Sequence, residues 1–474
     1  MSRPPLGAIL RNGRTTCLEA PEGSSECLLG VTSSEPREQL LLSDSWKIAS
    51  RLAASPPFAR KLVAMALPTI SLGTLLKRIV QAVLAVQGAT LLALGIVDYR
   101  RKKLRKPAAF PRLPPRSVTA GSSEVTVYTY GEDLYRDMLD AIGQAKSRIF
   151  FESFIWKGDA IGQAFKDALI DAANRGVKVY LVFDEFANLV VPRPFFVFPK
   201  NIAVRRHPLI ASGFRFPRNT GRDHRKLLVV DDLVAFLGGY NIGSLYATDW
   251  RDTHARLTGD IVWDVQNAFI DYWNLWVGRR RAALPDFGSP TWQADIRIHR
   301  NMPRTMVYPI RGMYLDAIDR ASHHIYLTHA YFIPDTDVLS ALVRAARRGV
   351  DVRIIIPAES NHIVADWLSR GFYSHLLRSG IRLLLYQGAM VHAKTATIDG
   401  QWSTIGTANI DRLSLLGNYE INMEVFNTDV ARQMEEIFTI DSTNTVELTL
   451  NDWQRRQAMV KFSETVLIPL RPLL

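Results

Sequence analysis

The pattern of hydrophobic and polar positions divides the chain into an N-terminal part and a longer, alternating part. Residues 1–60 are rich in Ser, Pro, Gly and charge and show no sustained periodicity, which is typical of a flexible tail. From residue 116 onward, helical patterns alternate with short, β-rich apolar runs. Such alternation predicts an α/β fold with mixed or parallel sheets and helices on their faces.

The alternating part contains an internal repeat. In both copies a helical pattern leads into an apolar strand, and a second helix ends at an Arg-Gly pair before a second strand. The matched stretches are DAIGQAKSRIFFESFIW (140–156) with DAIDRASHHIYLTHAYF (316–332), and DALIDAANRGVKVYLVF (167–183) with SALVRAARRGVDVRIII (340–356).

The repeat predicts how the chain is organised. Gly176 and Gly349 stand where the second helix of each copy is expected to end. The expected segments are a tail at 1–60, an apolar segment with a basic, Pro-rich linker at 61–115, two halves at 116–285 and 286–450, and a C-terminal tail at 451–474.

A third repeated block carries the candidate chemistry. HRKLLVVDDLVAFLGGYN (224–241) aligns with HAKTATIDGQWSTIGTAN (392–409), and both have the spacing His-x-Lys-x4-Asp-x6-Gly-x2-Asn. A single His-x-Lys is common by chance, whereas the same spacing in two copies indicates function. The marked residues are His224, Lys226, Asp231 and Asn241 in the first copy, and His392, Lys394, Asp399 and Asn409 in the second.

The second copy of this block predicts a hairpin. Asp399-Gly400 is a strong turn signal, so Lys394–Ile398 and Trp402–Ile405 are expected to be antiparallel neighbours. In the first copy the corresponding turn falls beside Asp232. Folding there returns the asparagine to the histidine, and His and Lys two positions apart project from one face. The glycines after each hairpin (Gly238, Gly239 and Gly406) are expected to leave room for a ligand.

Each copy also has a carboxylate at the same distance from its histidine. Asp252 follows His224 by 28 residues, and Glu420 follows His392 by 28 residues. This equal offset predicts one carboxylate partner for each imidazole, to set its tautomer and stabilise the imidazolium.

Composition limits the partners without choosing among them. A net charge of +12 favours an anionic partner, such as nucleic acid, acidic lipid or a phosphorylated small molecule. The only cysteines are Cys17 and Cys27, so neither a disulfide framework nor a cysteine metal site can serve the body of the protein.

The motif is best interpreted as a site for phosphate-ester chemistry. Two lysines and two asparagines offer donors to phosphoryl oxygens, and two histidines allow one to attack phosphorus while the other protonates the leaving alkoxide. A metal site is disfavoured because the neighbouring lysines would repel a cation. No metal or other cofactor is expected.

These residues resemble the phospholipase D superfamily with its duplicated HKD motif, over about 120–450. The resemblance implies two pseudo-twofold-related α/β/α halves that form one metal-free site. It implies that His224 is the nucleophile and His392 the general acid and base, and that Lys226, Lys394, Asn241 and Asn409 hold the phosphate. Asp252 and Glu420 would orient the histidines. By the same resemblance Asp231 and Asp399 belong to the motif and are candidate catalytic residues, but their place at the turn favours a structural role over direct catalysis.

Within that superfamily, WRDTHARLTG (250–259), AYFIPD (330–335) and GTANIDRLSLLGNYEIN (406–422) are most similar to bacterial cardiolipin synthases. The resemblance implies phosphatidyl transfer from phosphatidylglycerol, or a related donor, to a lipid alcohol. Thr407 stands where serine is common and Leu413 lies between Arg412 and Ser414, departures that leave the chemistry intact but blur the subfamily.

The N-terminal apolar segment predicts contact with a membrane. Ile79–Val97 is an uncharged run of 19 residues, about enough to cross a hydrocarbon core, and a basic cluster at 100–106 follows it. That cluster favours anionic headgroups and a cytoplasm-facing catalytic body at the cell membrane. The alternative is a buried or amphipathic helix. The apolar stretch 190–200 is open to the same question: a bilayer contact, an acyl channel or an interior loop.

The sequence is also compatible with two other functions. With water as the acceptor, the same intermediate would make the protein a phospholipase D that releases phosphatidic acid. A nuclease, phosphodiesterase or nucleic-acid-binding protein is less favoured, because much of the basic density lies beside the apolar segment and no nucleic-acid fold signature is present. The sequence does not determine the oligomeric state.

Overall fold

The computed structural model describes residues 71–104, 108–210, 221–275, 283–285, 288, 291, 295–467 and 469. The predicted tail at 1–60 lies outside these residues. By its backbone contacts the chain divides into two units, Met1–Ile79 and Val80–Leu474, and all elements from the first strand onward belong to the second unit.

A long apolar helix, α1 (Leu72–Leu104), contains the predicted uncharged run. Its most apolar 18-residue window, within Gly73–Arg101, has a mean hydropathy of 2.0 and is 11% buried. Leu84 and Leu92 are 61% and 68% exposed, whereas Leu94 is buried in a cluster with Leu368 and Leu467. In length and composition α1 is sufficient to cross a hydrocarbon core.

The first half forms an eight-stranded mixed sheet in the order β1-β2-β9-β7-β6-β3-β4-β5. Strands β3, β4 and β5 are parallel, and β6 is antiparallel to β3. The elements are β1 (Arg116–Ala120), β2 (Ser123–Tyr128), α2 (Gly131–Gln144), β3 (Arg148–Ser153), α3 (Ala160–Asn174), β4 (Lys178–Asp184), a 3-10 turn (Arg193–Phe196), β5 (Ile202–His207), β6 (Leu227–Val230), β7 (Val234–Gly238), α4 (Ser244–Thr248), β8 (Trp250–Arg251), β9 (His254–Gly259) and α5 (Val262–Leu275).

The second half repeats this design in a second eight-stranded sheet, in the order β10-β19-β17-β16-β11-β13-β14-β20. The α/β architecture with two mixed sheets is therefore confirmed. The elements are β10 (Ile296–Asn301), a 3-10 turn (Pro303–Thr305), α6 (Pro309–Arg320), β11 (His324–His329), β12 (Phe332–Ile333), α7 (Thr336–Arg347), β13 (Asp351–Pro357), α8 (Ile363–Arg378), β14 (Arg382–Tyr386), β15 (Met390–Val391), β16 (Lys394–Ile398), β17 (Trp402–Gly406), β18 (Ile410–Asp411), α9 (Arg412–Leu416), β19 (Glu420–Phe426), α10 (Thr428–Ser442), β20 (Thr445–Leu448), α11 (Leu450–Gln454) and α12 (Ala458–Leu467).

The repeated helices begin and end where local chemistry requires it. Asp159 accepts a hydrogen bond from the Gly162 amide at the start of α3, and Asp335 caps α7 in the same way. Gly176 and Gly349 follow these helices with φ of 94° and 93°, a conformation that glycine adopts without steric cost. Both predicted helix ends are confirmed.

The central strands are apolar on both faces because helices cover both faces of each sheet. Phe151 of β3 lies in one cluster with Leu134 of α2, while its neighbour Phe150 stacks on Phe269 of α5 with ring centroids 4.7 Å apart. The cluster around Phe269 also takes in Ile421 and Met423 of β19. The two halves therefore share part of one hydrophobic core.

The C-terminal segment differs from the predicted tail. It forms α11 and α12, and Trp453 of α11 is 4% exposed, with its ring 5.1 Å from that of Tyr373 in α8. Burial of a large aromatic side chain holds this segment to the second half. Sequence periodicity was too short here to predict two helices of 5 and 10 residues.

Candidate active site

The two predicted hairpins bring the repeated histidines to one place. Residues Leu227–Val230 pair antiparallel with 234–237, and 395–398 pair antiparallel with 402–405, as the turn signal predicted. The backbone amide of His224 donates to the Tyr419 carbonyl at 3.0 Å, and that of His392 donates to the Arg251 carbonyl at 2.7 Å. Each histidine is thus anchored on the backbone of the opposite half.

The carboxylates pair with the histidines across the halves. Nδ1 of His224 lies 2.9 Å from Oε2 of Glu420, and Nδ1 of His392 lies 2.6 Å from Oδ2 of Asp252. The equal sequence offset did not determine which carboxylate pairs with which histidine. In the structure each carboxylate contacts the histidine of the other half. With Nδ1 of both rings bound to a carboxylate, Nε2 is the nitrogen that could act on a substrate, and in His392 it also lies 3.0 Å from Nζ of Lys394.

The two carboxylates are held differently. Glu420 accepts from the Thr407 hydroxyl at 2.6 Å and the Asn418 amide at 3.4 Å, and Thr407 in turn accepts from the backbone amide of Ile421. Asp252 accepts from the backbone amide of Thr253 at 2.8 Å. The sequence singled out Thr407 as a departure but did not indicate its contact with Glu420.

The glycines after the hairpins make room for protein atoms rather than for a ligand. A β-carbon at Gly239 would overlap the Asp252 carboxylate, one at Gly406 would overlap Asn422, and one at Gly238 would overlap the backbone of 253–254. The expectation of ligand space at these positions was wrong. Only a residue without a side chain lets the neighbouring strand approach this closely.

Both lysines of the motif are buried beside the histidines. Lys226 and Lys394 are 2% and 0% exposed. Nζ of Lys226 donates to the His224 carbonyl at 2.6 Å, while Nζ of Lys394 contacts the His392 carbonyl and lies 3.0 Å from Nε2 of that ring. Burial lowers the pKa of Lys226 to about 7 and that of Lys394 to about 8. The site therefore holds two amines whose charged forms are poorly solvated without an anion.

Burial and the neighbouring charges also shift the pKa values of the imidazoles and carboxylates. Burial, followed by Lys394, lowers the pKa of His392 to about 3, and burial with both lysines lowers that of His224 well below its usual value. Burial raises the pKa of Glu420 to about 8. Burial also acts to raise the pKa of Asp252, but Lys394 and His392 lower it overall. The free site thus favours neutral imidazoles.

The asparagines lie where the hairpins return, and both are buried. Asn241 is 2% exposed, and its Oδ1 accepts from the backbone amide of Ile155 at 3.1 Å. Asn409 is 4% exposed, and within the described residues its Oδ1 has no hydrogen-bond partner. A buried amide oxygen without a partner is rare, so Asn409 retains unused hydrogen-bonding capacity at this site.

Asp231 and Asp399 lie at the opposite end of the hairpins from the histidines. Asp231 accepts from the backbone amides of Lys146, Ser147 and Arg148 at 2.7–2.9 Å. Asp399 does the same for 322–324 at 2.7–2.8 Å. These bonds brace the starts of β3 and β11, and the two residues are removed from the catalytic set, in which the motif had placed them.

Aromatic rings that sequence reasoning did not select line the site. The Phe154 ring lies 4.7 Å from that of His224, and Trp250 and Tyr331 lie 4.9 Å and 6.4 Å from that of His392. All three occur within or beside the repeated stretches, but ordinary core packing explains aromatic residues there equally well. Among the described residues no group of three or more His, Cys, Asp or Glu side chains is placed to hold a metal ion.

Comparison with known proteins shows the family to which the chain is related. A family model described as a cardiolipin synthase, phospholipase D-like domain matches residues 138–268 and 314–441. The major cardiolipin synthase ClsA of Bacillus subtilis (strain 168) is 31% identical over 372 residues, which cover 76% of this chain and 77% of that protein. Cardiolipin synthase 1 of Staphylococcus aureus (strain COL) is 30% identical and covers 74% of each chain.

A solved structure supports the fold independently. The crystal structure of phosphatidylserine synthase from Haemophilus influenzae Rd KW20 aligns with a TM-score of 0.57 at 15% identity, covering 76% of this chain and 94% of that one.

Proposed function

Because the chain belongs to the cardiolipin synthase family of phospholipase D-like enzymes, we propose that it condenses phosphatidylglycerol, or a related donor, with a lipid alcohol at a membrane. It is a phosphatidyltransferase of phospholipid biosynthesis by family. The observation that carries the finer proposal is a pair of buried imidazoles, each bound to a carboxylate of the opposite half, beside two buried lysines.

In the first step Nε2 of His224 attacks the phosphorus of the donor. The phosphorus–oxygen bond to the headgroup glycerol breaks, and His392 gives its proton to the leaving oxygen. The product is a phosphatidyl-histidine and free glycerol. The assignment of His224 as the nucleophile follows the family resemblance. In the second step the acceptor hydroxyl attacks phosphorus, its proton passes to His392, and the phosphorus–nitrogen bond breaks.

The electrostatics support this cycle. Lys226, Lys394, Asn241 and Asn409 are the candidate donors to the non-bridging oxygens, where negative charge grows in the transition state. Burial and Lys394 keep His392 neutral in the free site. An anionic phosphodiester bound to the lysines would offset their charge and raise the pKa of His392, which prepares it to act as an acid.

Membrane association is proposed from α1. Its apolar side chains are largely exposed from Leu75 to Val97, and Arg100 and Lys103 lie exposed after them. An exposed apolar helix followed by basic residues suits a bilayer with anionic headgroups on the basic side. Each basic residue near such a surface contributes about 1 kcal/mol of electrostatic attraction. That side would be cytoplasmic by the positive-inside rule.

The test is product analysis with purified protein and headgroup-labelled phosphatidylglycerol. We expect cardiolipin and free glycerol in equal amounts. Phosphatidic acid with glycerol, but no cardiolipin even at high lipid density, would instead identify a hydrolase. Release of neither glycerol nor any phosphatidyl product would refute the proposed chemistry.

A further inference from the structure

A cavity of about 310 Å³ lies in the second half, at the carboxyl end of β13. Its walls combine aromatic rings with charged groups from α1, α8 and α11. The lining includes Tyr331, Trp367, Tyr373, Trp453, Arg370 and Arg456. Concave sites that mix aromatic walls with a few polar groups are typical of small-ligand sites, and this volume lies at the small end of that class.

The cavity adjoins the active site through Tyr331. The Tyr331 ring lines the cavity and also meets His392 edge-on, with centroids 6.4 Å apart. Its hydroxyl donates to Oδ1 of Asn361 at 2.5 Å, which holds the ring in this position. A ligand in the cavity would therefore lie one aromatic ring away from the imidazole proposed to deprotonate the acceptor.

The first half fills the corresponding space with its own side chains. In the repeat, Trp156 corresponds to Phe332 and Phe183 to Ile356, and both second-half residues line the cavity. Phe196 stacks on Phe183 with centroids 4.4 Å apart, and Phe195, Phe196 and Phe198 surround Trp156 at 5.8–6.3 Å.

This filling explains the apolar stretch at 190–200. Its phenylalanines are interior packing for the first half, although Val190 and Val197 remain 79% and 67% exposed. In the second half the chain enters α8 after β13. Among the described residues that line the cavity, none forms a phenylalanine cluster like that of the first half. The opening is a specific feature of the second half rather than a property of the repeated fold.

The polar groups of the cavity suit a neutral ligand with several hydroxyls. Arg456 and Arg370 both bind Glu464, at 2.7 Å and 3.2 Å, and Arg101 binds Asp366 at 3.4 Å. The guanidinium of Arg456 also lies 3.9 Å above the Trp453 ring. Paired charges offer donors and acceptors without a strong net attraction for a phosphate, whereas the phosphate-binding lysines lie at the histidines.

We propose that this cavity binds the glycerol end of the acceptor lipid and directs its hydroxyl past Tyr331 to His392. The inference rests on the proposed function, since it assigns the second substrate of that reaction. The acceptor oxygen bonds to the phosphorus of phosphatidyl-His224, the phosphorus–nitrogen bond breaks, and the hydroxyl proton goes to His392. Holding the hydroxyl in place favours it over water as the acceptor.

The test fills the cavity from its exposed edge. Ala358 lines the cavity and is exposed, and its backbone amide donates to the Tyr386 carbonyl at 2.9 Å, a bond that a new side chain leaves intact. With Ala358→Trp we expect the ratio of cardiolipin to phosphatidic acid to fall ~10-fold or more, because lost positioning leaves water to compete. Glycerol release in the first turnover should stay within ~2-fold of the wild type, since the donor site is untouched.

The matched control is Ala160→Trp, at an exposed alanine that begins α3 in the first half, which should leave both measurements unchanged. An unchanged product ratio in Ala358→Trp would overturn the inference. So would an equal loss of first-turnover glycerol release and cardiolipin, because the cavity would then serve the donor or the fold. If the wild type releases no glycerol, the proposed function fails first, and that result is separate from either of these.

Discussion

The two halves carry the same hairpin but surround its histidine with different chemistry. In the first half Arg225 stands between His224 and Lys226 and is completely buried, with Nη2 2.7 Å from Oε1 of Glu152. At the equivalent position of the second half is Ala393, also buried. The residue between histidine and lysine therefore faces the interior of its own half and is free to differ, whereas its two neighbours face the shared site.

The buried charges around Arg225 are a further difference. Asp223 lies 3.6 Å from Arg225, and neither of its carboxylate oxygens has a hydrogen-bond partner within the described part of the chain. Burial, then the nearby Glu152, raises the pKa of Asp223 well above its usual value. At the positions that correspond to Glu152 and Asp223, the second half has Thr328 and Val391. The same antiparallel hairpin thus tolerates either an ionic or a neutral interior.

What the halves share is their dependence on each other. Each imidazole takes its carboxylate and its backbone acceptor from the other half, and strand β8 pairs with β15 between them. The buried pair of Arg251 with Asp441, at 2.7 Å, crosses in the same way. A half by itself would leave these groups unpaired, so the repeat works only as a docked pair.

The largest effect should separate the two histidines. His224→Ala and His392→Ala should each lower cardiolipin formation by ~10³-fold or more, because one removes the proposed nucleophile and the other the proposed proton donor. A phosphatidyl ester of p-nitrophenol distinguishes them, since this leaving group needs no proton. We expect a stoichiometric burst of p-nitrophenol from His392→Ala and none from His224→Ala. The opposite pattern would exchange the two roles.

The next effect tests the crossed carboxylates. Glu420→Gln should slow the p-nitrophenol burst by ~10²-fold or more, because it removes the carboxylate that contacts Nδ1 of His224. Asp252→Asn should leave that burst nearly intact and slow cardiolipin formation instead, because it acts on His392. If Asp252→Asn slowed the burst more than Glu420→Gln, each carboxylate would serve the histidine of its own copy.

A smaller effect is expected in the pH dependence of kcat/KM, which should report the protonation of the two lysines. Each is proposed to hold the substrate phosphate, and an amine does so strongly only when it is protonated. Burial lowers their pKa values to about 7 and about 8 in the free site. We expect kcat/KM to fall as pH rises through this range, and to keep falling ~10-fold per pH unit or more above it. Bound anionic substrate favours the charged lysines, so the decline in kcat should begin at higher pH.

Lys226→Arg provides the corresponding variant. An arginine stays protonated throughout this range, so the decline of the residual kcat/KM should begin near the pKa of Lys394, about 8. Lys146→Arg, a change at an exposed lysine, is the control and should keep the wild-type profile. An unaltered profile in Lys226→Arg would mean that this lysine does not set the alkaline limb.

The smallest effect on catalysis should come from the turn aspartates. Asp231→Asn weakens the bonds to three backbone amides and should lower the free energy of unfolding by about 1 kcal/mol, with kcat/KM within ~3-fold of the wild type. Asp232→Asn is the control, because Asp232 binds only the Arg148 side chain among its described contacts. Thermal unfolding and initial rates measure both, and a ~10²-fold loss of activity would return Asp231 to the catalytic set.

The sequence by itself determined the repeat, the α/β class, the hairpins and the histidines and lysines that meet at the site. These features are encoded locally: a period of two places His and Lys on one face, Asp-Gly selects the turn, and Gly ends a helix. Duplication then separated a functional spacing from a chance one. The family resemblance added the chemistry that this spacing serves.

Only the tertiary structure decided how the halves complete each other. The crossing of Glu420 to His224 and of Asp252 to His392 depends on docking two sheets, and an equal offset along the chain carries no information about that. Docking also determines that Gly239 makes room for the Asp252 carboxylate. Packing determines that the space filled in the first half is a cavity in the second. Contacts between distant segments arise from packing in three dimensions, whereas a sequence pattern reports the faces that are available to pack.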